Sequence, residues 1–255
     1  MTDGLSWRFL HVVHRNLLVW RKLMWPSLVG NLAEPLLLLL GLGFGLGSFL
    51  RPLEGLPYIS FLAGGMICYG AMNSASFEAL YSAFTRLQIQ RSWEGILHAP
   101  MTINDIVVGE WVWAAVKSLF SAAAIIAVMY LLGLVSGGWP LLALPVAGLV
   151  GLAFSAMALV VTAFARSYDF FVYYFTLIVT PMTLLSGVFF PMSALPAPVQ
   201  RVAEFLPLAH GTALTRGLAL GLPLGAVWLH LLVLLLYACA AAALALWLMR
   251  RRLAR

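Results

Sequence analysis

The chain has 255 residues, 63% of them hydrophobic and only 9% charged. Water-soluble domains carry about 25% charged residues, so a soluble core and a disordered chain are excluded and an all-α polytopic membrane protein is expected. The net charge of +6 reads as topology rather than nucleic-acid binding, because basic residues collect on the cytoplasmic flanks of spans.

The first predicted element is 5–25, LSWRFLHVVHRNLLVWRKLMW. Leu10, Val13, Leu17, Trp20 and Met24 recur at helical spacing, while Arg8, Arg15 and Lys22 fall on other faces. The segment is too charged to span and predicts an amphipathic helix in the membrane interface, as a plain anchor or as a docking surface. His11 and His14 have no acid or thiol nearby in sequence to complete a metal site.

A helix needs roughly 20 apolar residues to cross the hydrocarbon core. Six runs qualify, at 28–50, 58–83, 106–135, 141–164, 170–190 and 224–249. The first exceeds the roughly 7–15-residue core of a signal peptide and is read as a retained span. It carries Glu34 before Pro35, then GLGFGLG, whose Gly41/Gly45 and Gly43/Gly47 pairs permit close helix approach. The second span holds Tyr69, Asn73 and, near its inner end, Glu78.

The connection at 84–105 is longer than a minimal turn needs. Within it RLQIQRSWEGILHAPM, 86–101, sets Ile89, Trp93, Ile96 and Leu97 on one helical face, with Gln88, Arg91 and Glu94 more exposed; Pro100 ends the helix. The expectation is a small helix bearing an exposed tryptophan, suited to contact with another protein. TIND at 102–105 places Thr102 three residues before Asp105, in the manner of a capping box. The third span contains Glu110 and Lys117, seven apart on one face and two turns distant.

Arg166–Asp169 joins spans four and five. The aromatic cluster that follows includes Tyr173 and Tyr174 and is dense enough to line a path for an amphiphile. Pro191, Pro196, Pro198, Pro207 and Pro223 then punctuate 191–223, which predicts short or re-entrant helices before the last span, the first with Val199, Val202 and Leu206 at helical spacing.

Sidedness follows from the basic residues. Arg8, Arg15, Arg21, Lys22, Arg86, Arg91, Arg166, Arg250, Arg251, Arg252 and Arg255 fall on one side, against Arg51, Arg201 and Arg216 on the other. Both termini and the 84–105 loop are therefore expected in the cytoplasm and 191–223 outside. Glu78 and Lys117 lie within snorkelling reach of the inner interface; Glu34 is best suited to an intramembrane polar role, paired with a neighbouring span. Cys68 and Cys239 sit in apolar runs and read as filler.

No phosphate-binding G-x-x-x-x-G-K-[ST] loop exists, since the only lysines, Lys22 and Lys117, follow Arg21 and Val116. No metalloprotease motif, serine–histidine setting or inverted repeat is visible. A transporting chain of this kind would take its energy from a partner. An intramembrane enzyme lacks a visible constellation; a scaffold subunit remains a reading from another class.

Six motifs occur in order: NLAEPLLLLLGLGFGLG, FLAGGM, SASFEALYSAFTRLQIQRSWEGIL, DIVVGEWVWAAVKS, SYDFFVYYFTLIVTPMTLLSGVFFP and FLPLAH. From about residue 15 onwards the sequence resembles the permeases of type-2 ABC exporters, and within them those of nodulation-factor exporters, which move a lipo-chitooligosaccharide. The resemblance implies a homodimer in the bacterial inner membrane, two copies of a separate ATPase that holds ATP and magnesium, and no cofactor in this chain. It implies a coupling loop at 84–105, with Arg86, Gln90, Arg91, Trp93 and Glu94, joined by Arg166 and Asp169 from the second cytoplasmic loop. Spans one, two and five would line the pathway, with Glu34, Tyr69, Asn73, Tyr173 and Tyr174 as its polar side chains. The substrate would be an amphiphilic glycolipid-type molecule or, as the alternative, a hydrophobic drug or another lipid. Membrane lipid is the other expected partner, and no nucleic acid is.

Overall fold

The computed structural model describes residues 7–253. Residues 5 and 6 of the expected interface helix lie outside that range. Eleven α-helices follow one another: α1 Phe9–Lys22, α2 Met24–Leu40, α3 Tyr58–Phe77, α4 Ser92–Leu97, α5 Ile103–Leu131, α6 Ala143–Phe164, α7 Asp169–Tyr174, α8 Thr180–Leu185, α9 Ala197–Ala203, α10 Pro207–Leu220 and α11 Val227–Leu253. Four π-helical turns extend or join them, at Gly41–Gly45, Glu78–Ser82, Thr85–Ile89 and Phe175–Val179. Among the described residues there is no strand, only an isolated bridge between Leu53 and Leu56. The all-helical expectation holds.

Four helical stretches are long and apolar enough to cross a membrane: Met24–Ser48, Ile103–Leu131, Trp139–Phe164 and Val227–Leu253. Asp169–Leu185 is apolar but shorter. Helix α3 is distinct because it is almost wholly enclosed by protein, and its composition shows why. Gly64, Gly65, Gly70, Ser60, Ser74 and Asn73 give it a small, polar surface that neighbouring helices can approach closely. It packs on α5, α6, α10 and α2. Helix α11 lies against α6, and its far side exposes Trp228, Leu232 and Leu236.

Helix α1 lies against the first half of α5. Gly109 is the reason the two can touch: a Cβ there would come within 2.5 Å of Val12 Cβ and 2.9 Å of Phe9 O. The start of α5 and the end of α6 are tied down by the last helix. Arg250 Nε donates to Asn104 Oδ1 at 2.7 Å, and Arg252 Nη1 donates to the terminal carbonyls of α6, Thr162 O at 2.6 Å and Ala163 O at 3.0 Å. Those are carbonyls that a helix C-terminus leaves without internal partners.

The capping box at Thr102 is formed: Asp105 N donates to Thr102 Oγ1, and Thr102 N donates to Asp105 Oδ2. In the proline-rich segment α9 ends at Ala203, so Leu206 is not on its face but opens α10. Of the glycine pairs in 41–47, Gly43 faces Ile59 and Gly47 faces Tyr58, whereas Gly41 and Gly45 meet no other atom within the chain.

Candidate functional site

At the C-terminal end of α3, four charges from three segments meet. Arg86 donates from Nε to Glu110 Oε1 at 2.9 Å, and from Nη2 to Glu110 Oε2 and to Glu78 Oε1, the latter at 2.7 Å. Lys117 Nζ donates to Glu78 Oε2 at 2.8 Å. Trp113 Nε1 donates to Glu78 Oε1 at 2.9 Å, and Asn16 Nδ2 of α1 donates to Glu110 Oε2 at 3.2 Å. Two cations balance two anions, and every carboxylate oxygen has a donor. Such pairing is what makes buried charge tolerable, because desolvation otherwise outweighs the Coulomb attraction. For Arg15, one turn before Val19 on α1, burial wins and the pKa falls, with Glu110 pulling the other way.

This arrangement corrects one expectation and adds one placement. Glu78 and Lys117 do not snorkel to the interface; they pair with each other. Arg86 does not present its charge outward from the loop, because the carboxylates of α3 and α5 hold it inside, leaving its side chain 14% exposed.

The loop itself also differs from its expected form. The helical run beginning at Tyr58 continues through π-helical turns to Ile89, and only then does the chain turn, at Arg91, whose φ of 48° is left-handed. Helix α4 is therefore short, and Ile89 is not on it. Trp93 is not exposed: it is 0% accessible, sunk into the core as the anchor of α4. An apolar ring of that size on a helix of six residues is the deepest grip α4 has on the bundle, with Ile96 and Leu97 packed beside it and the Ser92 hydroxyl donating to Arg86 O at 3.1 Å. The exposed residues between 86 and 101 are Gln88, Ile89, Gln90, Arg91, Glu94, Gly95, His98, Ala99 and Pro100, so Gln88, Arg91 and Glu94 lie open as expected. Arg166 and Asp169 are exposed as well, in the connection between α6 and α7. The two loops meet: the Thr85 and Tyr168 hydroxyls are 2.7 Å apart, and Phe84, Tyr168 and Phe171 stack edge to face.

Further along α3, Tyr69 donates from its hydroxyl to Glu34 Oε1 of α2. Glu34, Tyr69 and Asn73 line one cavity of about 380 Å³, with Phe77, Phe175 and Thr183 across it. The cavity thus draws on α2, α3 and the α7–α8 region. Glu34 pairs with a neighbouring helix as expected, yet it is exposed in the single chain rather than enclosed. Tyr173 and Tyr174 do not join it. Tyr173 points out at 63% exposure, and Tyr174 is buried elsewhere.

At the other end, Arg216 of α10 was counted only as a flank charge in the sequence. It is buried, and its guanidinium donates to Phe61 O at 3.1 Å and Gly187 O at 2.6 Å while lying 3.6 Å from the Phe61 ring centroid. It thereby satisfies carbonyls where the helical run of α8 breaks. His210 and His230 also pair, Nδ1 to Nδ1 at 2.7 Å, with His210 Nε2 2.8 Å from Glu204 O. If Nε2 donates to that carbonyl, His210 Nδ1 must accept from His230. Only the FLPLAH motif hinted at His210; nothing in the sequence joined it to a residue 20 positions on.

The model of the ABC-2 type transporter family matches residues 8–220. Nodulation protein J of Rhizobium meliloti (strain 1021) is 45% identical over 248 residues, 97% of this chain and 95% of that protein. Nodulation protein J of Rhizobium leguminosarum bv. viciae is 46% identical over 252 residues, 99% of this chain and 96% of that one. The inner membrane transport permease YadH of Escherichia coli (strain K12) is 25% identical over 199 residues, 78% of this chain and 75% of the permease.

Proposed function

The chain belongs to the ABC-2 type transporter family, and from that premise we propose that it is the permease subunit of an ATP-driven exporter of a lipo-oligosaccharide or lipid-linked glycan. Six spans are proposed: α2, α3 with its π-helical extension, α5, α6, the α7–α8 run and α11. Both termini face the cytoplasm of the bacterial inner membrane, and α9 and α10 sit at the outer leaflet. The subunit dimerises and carries two copies of a separate ATPase, which holds ATP and magnesium.

The observation that carries the reading is the cavity at Glu34. A carboxylate on an apolar helix is costly in lipid unless protein or water meets it. Here it sits beside a tyrosine hydroxyl, an asparagine amide and phenylalanine rings on a face the chain leaves uncovered. A second copy would cover that face and close the cavity into a seam with polar and aromatic walls, matched to a molecule with a glycan head and an acyl tail. The exposed loop residues Gln90, Arg91, Glu94, Arg166 and Asp169 offer the ATPase a contact, and Arg86 carries its movement into α3 and α5. The movement of α3 then opens the seam.

The test is flux in vesicles reconstituted with the ATPase. A lipo-chitooligosaccharide should move with ATP and should stimulate hydrolysis. Transport of a hydrophobic dye in preference to it would favour the drug-export alternative, and failure to bind any ATPase would leave only a scaffold.

A further inference from the structure

A second cavity, of about 420 Å³, lies between α1 and the α4–α5 connection. Arg8, His11 and Arg15 supply its basic side, and Val12, Ile96 and Met101 its apolar wall. No acid lines it among the described residues. Arg8 donates to Pro100 O and so pins the rim. Arg15 is different. Its Nη1 is buried with no hydrogen-bond acceptor, and Glu110 cannot supply one freely, because Arg86 and Asn16 already hold both of its oxygens. A buried donor without an acceptor is costly, and the residue that carries it lines a basic cavity with no acid of its own among the described residues.

Arg8, His11, Val12 and Arg15 form one stripe of α1 by their spacing of three and four. The next stripe round the helix exposes Trp7, Leu10 and Leu18, at 80%, 47% and 46%. Large apolar side chains set beside arginines on an amphipathic helix belong at the headgroup level of a bilayer. Basic pockets on the cytoplasmic side of a helical bundle suit anionic headgroups.

We propose that this cavity binds the phosphate of an anionic phospholipid from the inner leaflet, with Arg8, His11 and Arg15 as its basic wall and an acyl chain against Val12, Ile96 and Met101. The apolar wall favours a lipid over a carboxylate from a docked protein, which would need no such wall. The inference rests on the transport reading only for the placement of α1 at the cytoplasmic leaflet. A bound lipid would brace α1 against Pro100 and Met101, the residues that follow α4, and so would stiffen the loop that faces the ATPase.

The test uses the full chain in nanodiscs of phosphatidylethanolamine with a trace of spin-labelled phosphatidylglycerol or phosphatidylcholine. The immobilised fraction should favour phosphatidylglycerol. Arg15→Gln should cut that preference about fivefold, the usual worth of one basic group at such a surface, while Arg15→Lys keeps most of it. Thermal unfolding of both variants confirms that they are folded. Equal retention of the two lipids, or an unchanged preference in Arg15→Gln, overturns the proposal. So does full displacement by millimolar inorganic phosphate, which would mark a site for a free anion. Loss of the ATPase from Arg15→Gln with the lipid preference intact would mark a protein pocket instead, and also overturns it. The lipid measurement needs neither ATPase nor substrate, so its failure leaves the transport reading standing.

Discussion

Arg86 is held by two acids that lie 8 and 24 residues away in sequence, and Lys117 by an acid 39 residues before it. Removing one member strands the rest. Arg86→Gln should destabilise the folded subunit by about 3–5 kcal/mol, the usual cost of breaking a buried ion pair from one side, read as a fall in the detergent unfolding temperature. Glu78→Gln with Lys117→Met, which removes both partners, should cost clearly less than either change alone. Trp93 belongs to the same class of residue. Because its ring is buried, Trp93→Ala should loosen α4 at a cost of about 3–5 kcal/mol, seen as faster proteolysis between Ile89 and Met101. Glu94 is exposed, and Glu94→Lys should leave stability alone and lower ATPase retention on co-purification.

At the scale of elements, the helices were legible because apolar run length and proline positions act locally. The 102–105 cap was legible for the same reason: both partners lie within one turn. The charge network was not, since its members are spread over α1, the α3 extension and α5, and only packing brings them together. The burial of Trp93 was hidden by one local fact, the left-handed turn at Arg91, which separates Ile89 from α4 and rotates the face that periodicity assigned. Gln88, Arg91 and Glu94 could be read as exposed; that Arg86 turns inward could not. Glu34 and Tyr69 were each legible as polar residues in apolar runs, but their pairing needed α2 to lie on α3. The α1–α5 contact gives a direct check on this scale. Gly109→Val would drive a side chain into Val12 and Phe9 O. It should release α1, measured as proteolytic cutting within Phe9–Lys22, and should weaken coupling without touching the Glu34 cavity.

For the whole molecule, the uneven distribution of exposed apolar surface separates two sides. Leu184 of the Glu34 cavity is 45% exposed and Leu37, one turn after Glu34 on α2, 71%, whereas Trp228 on α11, a helix that packs on α6 and α10, is 84% exposed. The proposed dimer predicts a cross-link between copies for Leu37→Cys, in a chain whose exposed Cys239 has been replaced, and none for Trp228→Cys. Cross-linking at Trp228 alone would move the seam to α11 and take the cavity out of it.

The π-helical turn at Phe175–Val179 has a consequence for chain length. A π turn holds one residue more than the α turn it replaces, so the α7–α8 run carries a spare position that its neighbours do not need. Deleting Leu177, which is exposed there, should let the turn relax to α-helix with Tyr174 and Met182 kept on their present faces. The same deletion in the unbroken α5 would throw everything beyond it about 100° out of phase. Insertion and folding of the two shortened chains, compared by protease resistance, would show whether this stretch tolerates a lost residue where an ordinary helix does not.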